Sequence, residues 1–180
     1  MGRSTLLILL ALPALWACAS SPSRRAPAPT PARAPAPDAA EHGVALYQQG
    51  RYAEAEAVLA PASGVQALAY LAASRVRLEQ YAAAETPALE ALQASPGNAV
   101  ASAALGEALV AQGKLDEAIQ RLTAVIQADP RLPYVYYWRG QAYHRRKQIA
   151  RMVDDYEAFL RLAPDAPEAP ALKALLGSLQ

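Results

Sequence analysis

Residues 99–132 read AVASAALGEALVAQGKLDEAIQRLTAVIQADPRL, a stretch of 34 residues that nearly ends on Pro130. The same spacing recurs on both sides, because Pro96, Pro130 and Pro164 stand 34 residues apart. With the closing proline placed at position 32, the chain divides into units 65–98, 99–132 and 133–166. Position 8 then reads Ala72, Gly106 and Gly140, and position 20 reads Ala84, Ala118 and Met152. Position 11 holds Arg75, Leu109 and Tyr143, position 24 Ala88, Leu122 and Tyr156, and position 27 Ala91, Val125 and Phe159. A period of this length, with units too short to bury an apolar face alone, predicts stacked helical hairpins.

Each spacing has a physical reason. Positions 4, 7, 8 and 11 share one face of a helix, and so do 20, 24 and 27. Position 8 is small where the two helices of a hairpin cross closely. Gly113, at position 15, suits the left-handed residue that ends a first helix, Asp116 is positioned to cap the second, and Pro130 cannot continue it. Acidic pairs, Asp116-Glu117 and Asp154-Asp155, are expected to open second helices. The run His144-Arg145-Arg146-Lys147 is expected to close a first one, where cations oppose the negative helix end.

Three departures set further expectations. Lys147 and Met152 replace small residues in the last unit, which is expected to pack more loosely. Pro87 falls inside an expected second helix, which either kinks or restarts with Thr86 as cap and Pro87 at its first position. Upstream, Gly43, Leu46, Gly50, Tyr52, Ala55 and Leu59 fit a degenerate unit, about 36–64, whose second helix Pro61 cuts short. Downstream, Leu172, Leu175, Leu176 and Leu179 form a stripe on a capping helix, about 168–178.

Leu105, Gly106, Leu109, Gly113, Leu115, Ala118, Leu122, Val125 and Pro130 together resemble the tetratricopeptide repeat (TPR) family, over residues 39–166. The resemblance implies an all-α fold, an α-solenoid of antiparallel helical hairpins. It would hold about three full units, a shortened first unit and a C-terminal capping helix. It also implies that first helices line a concave face through positions 2, 5, 9 and 12, with 6 and 13 nearby. The partner-binding groove expected on that basis comprises Tyr70, Arg77, Glu107, Tyr134, Tyr137, Trp138, Gln141, His144 and Arg145. Its floor would be alanine-lined and its C-terminal wall aromatic and cationic, the residue types that anchor binding hot spots. The competing reading packs these aromatics against the capping helix. The lysine–asparagine set of carboxylate-binding family members is missing from positions 5 and 9.

The N-terminus reads as an address. Arg3 precedes an apolar run, Leu6 to Ala17, of signal-peptide length. Leu15-Trp16-Ala17-Cys18 resembles the lipobox of bacterial lipoproteins, although Trp16 is bulky for its place. Ordinary cleavage after Ala19, or an incidental cysteine, would account for the same residues. The resemblance implies residues 1–17 as signal peptide and lipidation of Cys18, with a diacylglyceryl thioether and a palmitate-like N-acyl chain. Residues 18–37 then form a Pro/Ala-rich linker of roughly 50–60 Å if extended. Residues 38–180 form the TPR domain. Ala19 in place of aspartate points to the outer membrane, facing the periplasm.

Composition excludes several classes. A formal net charge of +1 gives no steering toward nucleic acid. A single cysteine excludes an intrachain disulfide. His42 and His144 lie in separate units, and no HExxH, GxSxG, CxxC or phosphate loop occurs, so neither catalysis, a metal nor a cofactor is expected. The function expected is a membrane-anchored, non-catalytic scaffold for protein partners of the cell envelope. Pilus or secretion, outer-membrane assembly and peptidoglycan machineries remain equal candidates. The alternative is a periplasmic binder of a small molecule or glycan.

Overall fold

The computed structural model describes residues 39–179, all within the compact unit Ala34–Gln180. The readings of residues 1–37, Cys18 among them, lie outside the described residues. Helices α1 (Ala39–Gln48) and α2 (Tyr52–Leu59) form the shortened unit. The pairs α3 (Val65–Arg77) with α4 (Tyr81–Ala94), α5 (Ala99–Ala111) with α6 (Leu115–Ala128) and α7 (Pro133–Arg145) with α8 (Ile149–Leu162) follow. The last helix is α9 (Ala169–Gly177), and the described residues contain no strand.

The first helices α1, α3, α5 and α7 touch one another in sequence, whereas the second helices touch only first helices and α9. The tighter inner row makes the stack concave on the first-helix side. Within hairpins, position 8 is the point of closest approach. A Cβ on Gly140 would stand 2.6 Å from the Tyr156 ring. One on Gly106 would stand 2.7 Å from the Trp138 Cβ and 3.2 Å from Leu122. Gly106 is therefore small for the next hairpin as much as for its own.

All four hairpin turns close in the same way. The amide of position 15 donates to the carbonyl three residues back, and the amide of position 16 to the carbonyl five back, as in Gly113 to Val110 and Lys114 to Leu109. This pair of hydrogen bonds satisfies carbonyls orphaned at the helix end and requires a left-handed residue at position 15. Gly50 and Gly113 supply it at φ 76°, and Glu79 and Lys147 adopt it at φ 58° and 59°. Lys147 thus keeps the backbone of its unit despite its side chain.

Other expectations are corrected. α4 runs unbroken through Pro87, so no restart occurs at Thr86. Pro87 has no amide to give the Ala83 carbonyl; the Arg75 guanidinium donates to that carbonyl instead, at 2.9 Å. Asp116 does not cap α6. It lies in the first turn and pairs with Arg146 of the next unit. Asn98 is a side-chain cap, accepting from the Ala101 amide at 2.9 Å. Asp154 and Asp155 do not open α8, which begins at Ile149. Met152 is no source of looseness: it is 1% exposed, packed with Tyr156, Phe159 and Leu172. α9 buries Leu172 against this cluster and half-buries Leu175 and Leu176, but Leu179 stands in solvent.

Candidate functional site

The inner row of helices holds two hollows, of 280 and 420 Å³. They share five walls, Tyr47, Arg77, Ala103, Glu107 and Tyr134, and so form one groove crossing α1, α3, α5 and α7. The smaller hollow adds Tyr70, Ala73, Val76 and Val100, and its floor is largely aliphatic. The larger adds Tyr137, Trp138 and Glu168, so its walls are aromatic and acidic.

An ion pair between Arg77 and Glu107 stands where the hollows meet. Burial pushes the Glu107 carboxyl above its usual range, against the pull of the Arg77 charge and hydrogen bond. Burial likewise raises the Tyr47 phenol, with Arg77 opposing. Tyr47 meets Tyr70 edge to face at 5.3 Å between ring centroids.

The C-terminal wall is built on the core. The Tyr137 ring meets Trp138 edge to face at 4.9 Å and packs on Phe159 at 5.4 Å. Gln141 donates to the Tyr137 hydroxyl at 3.2 Å, and the Tyr134 hydroxyl donates to Glu168 at 3.1 Å. Packing on the capping segment and lining a groove are therefore compatible. Tyr134 is tied to the residue that leads into the capping helix, and it still lines the groove.

Of the residues expected from sequence, Tyr70, Arg77, Glu107, Tyr134, Tyr137 and Trp138 line the groove. Gln141 stands behind it as a support for Tyr137. His144 and Arg145 lie outside both hollows, at the exposed end of α7, where Arg145 donates to the Val110 carbonyl. Tyr47 and Glu168 were not anticipated. Tyr47 occupies position 12 of the degenerate unit, and extending the concave register one unit upstream identifies it. Glu168 belongs to no unit and carries no such signal.

A further groove, of 510 Å³, lies between α4 and α6 on the outer row, lined by Leu89, Leu92, Val125 and Ala128 with Glu90 and Arg121 beside them. Among the described residues no group of three potential metal ligands occurs, and no helix is long and apolar enough to cross a membrane.

Residues 106–146 match the family described as TPR repeat, and residues 133–166 match that described as tetratricopeptide repeat. The fold is that of a tetratricopeptide-repeat solenoid. TTC0263, a thermophilic TPR protein of Thermus thermophilus, is similar at TM-score 0.66 and 23% identity, over 78% of this chain and 82% of that one. YrrB, described as a TPR protein with an unusual peptide-binding site, is similar at TM-score 0.61 and 22% identity, over 73% and 71%. MamA MSR-1 is similar at TM-score 0.57 and 21% identity, over 78% and 86%. No curated protein matches in sequence. TPR folds generally mediate protein–protein contacts and are typically non-catalytic.

Proposed function

We propose that this chain is a non-catalytic scaffold of the bacterial cell envelope. It holds a protein partner in the inner groove and is tethered to the outer membrane, facing the periplasm, through a lipidated Cys18. The observation that carries the binding role is the groove itself: two hollows sharing five walls, with rigidly backed aromatics at one end and an ion pair at the centre. Aromatics seated on a core expose a large contact area at little cost in side-chain entropy. A peptide-binding site is described for YrrB, a protein of the same fold, which supports the choice of a peptide segment as occupant. The anchor rests on Leu15-Trp16-Ala17-Cys18 and the apolar run before it.

A photo-crosslinking side chain placed at Ala103, on the groove floor, is expected to capture a restricted set of envelope proteins in cells. The same group at Gln93, on the outer groove, is expected to capture none of them. Identical adducts from both positions, or none from Ala103, would remove the groove from the proposal. For the tether, Cys18→Ser is expected to abolish incorporation of labelled palmitate and move the protein from the membrane to the soluble fraction. The second reading, a small-molecule or glycan binder, is favoured by the 420 Å³ hollow beside Tyr137 and Trp138. Pockets of that size accept small ligands. Change in Trp138 fluorescence with a free sugar, and none with peptides, would select it.

A further inference from the structure

Given that the inner groove is a protein-binding site, as proposed above, its chemistry selects one kind of occupant. We infer that the larger hollow takes a basic side chain, arginine or lysine, from an extended segment of the partner. Glu168 serves as its counter-charge and the rings of Tyr134, Tyr137 and Trp138 as its seat.

The charges point one way. Three ionised side chains line the two hollows: Arg77, Glu107 and Glu168. Arg77 and Glu107 neutralise each other. Glu168 is half-buried, and among the described residues it has no cationic partner; its contact is the Tyr134 hydroxyl, at 3.1 Å. The larger hollow therefore carries a surplus negative charge, while the one cation on its walls is already engaged. An acidic ligand would have to displace Glu107 from Arg77, whereas a basic one finds an unpaired carboxylate.

The aromatic walls add to the same preference. Ring faces attract cations, and tyrosine and tryptophan do so best when partly withdrawn from water. Tyr137 is held by Gln141 and by Phe159 behind it, so the seat is preformed. The neighbouring hollow, lined by Ala73, Val76 and Val100, takes an aliphatic side chain. Because Tyr47, Ala103 and Tyr134 wall both hollows, the two side chains are close neighbours in the partner, one basic and one apolar.

The test uses the full chain carrying Trp16→Phe, which leaves Trp138 as the sole tryptophan. Its fluorescence is titrated with blocked valine-flanked peptides that differ at one residue: arginine, lysine, norleucine or glutamate. Arginine and lysine peptides are expected to bind about fivefold or more tightly than norleucine, with glutamate weakest. Raising the salt should shrink that preference. Glu168→Gln keeps an acceptor for Tyr134 and removes the charge. It should abolish the preference, so that in this variant the arginine and lysine peptides bind no more tightly than the norleucine peptide, with the melting temperature unchanged. Peptides that bind without regard to charge, or a preference that survives Glu168→Gln, would overturn the basic seat and leave the groove standing. No binding by any of the peptides would overturn both.

Discussion

The hairpins α5–α6 and α7–α8 share a backbone design and differ in nearly everything that fills it. In the first, Leu105, Ala118, Leu122 and Val125 make an aliphatic interior. In the second, the equivalent positions hold Arg139, Met152, Tyr156 and Phe159, and Gly140 makes room for the Tyr156 ring. Arg139 stands at position 7, where the two preceding units have leucine, and it donates to both oxygens of Asp155 at 2.9 and 2.7 Å and to Thr123 at 3.0 Å. Two hairpins can thus keep one geometry with different contents, provided three points stay fixed: a small residue at position 8, a left-handed residue at position 15 and a helix stop before position 32. The rest of the interior trades volume and even charge. That freedom let the last hairpin acquire the aromatic wall of the groove.

The largest effect should come from breaking the ion pair. Asp155 is 3% exposed, and both of its carboxylate oxygens accept from the Arg139 guanidinium. Asp155→Asn leaves the partly buried Arg139 without a counter-charge and should cost about 3 kcal/mol in denaturant unfolding. The double replacement Arg139→Leu with Asp155→Leu, which restores at position 7 the leucine of the two preceding units, should recover most of that loss. If the double variant is as weak as the single one, the pair is indispensable and the two hairpins are not interchangeable.

Next comes the fixed point at position 8. Gly106→Ala gains helix propensity of up to about 1 kcal/mol but drives a methyl into the Trp138 Cβ, which moves only with its backbone. A net loss of about 1–2 kcal/mol is expected. Melting should also perturb the fluorescence of Trp138 earlier than in the wild type. An unchanged or raised melting temperature would mean that the contact between hairpins is slack.

A smaller effect tests the repair at Pro87. Arg75→Met withdraws the donor from the Ala83 carbonyl and also breaks the half-buried pair with Glu56, at a cost of about 1–2 kcal/mol. Pro87→Ala restores an amide to that carbonyl. In the Pro87→Ala background, the cost of Arg75→Met should fall by about 1 kcal/mol, measured as a double-mutant cycle. Strict additivity would show that the guanidinium serves Glu56 alone.

These cases separate what a sequence displays from what it hides. Period, hairpin order and the capping helix were legible because small residues and prolines recur at fixed intervals. Gly106 and Gly140 announced the close approaches. The Arg139–Asp155 pair was hidden, since two charges 16 residues apart read as polar surface until the helices are brought together. Arg75 gave no sign of its role because the carbonyl it serves lies on another helix. In the groove, Tyr47 was legible by register, and most of the aromatic wall was found. Glu168 was not, because the segment leading to α9 lies outside the repeat and only the folded chain brings it beside Tyr134.

The smallest effect concerns the left-handed turn. At position 15 two units use glycine and two use Glu79 and Lys147, all with positive φ. A side chain held in that region costs roughly 1 kcal/mol or more relative to glycine, although glycine also loosens the unfolded chain. Lys147→Gly should therefore stabilise the protein by a few tenths to about 1 kcal/mol, seen as a higher denaturant midpoint at unchanged slope. The reverse change, Gly113→Ala, should destabilise by about 1 kcal/mol, because no neighbour obstructs a Cβ there and only the backbone objects. If Lys147→Gly weakens the fold instead, the lysine side chain makes a contact worth more than the strain. The turn of the last hairpin would then be maintained by its side chain, while that of the central one is maintained by glycine alone.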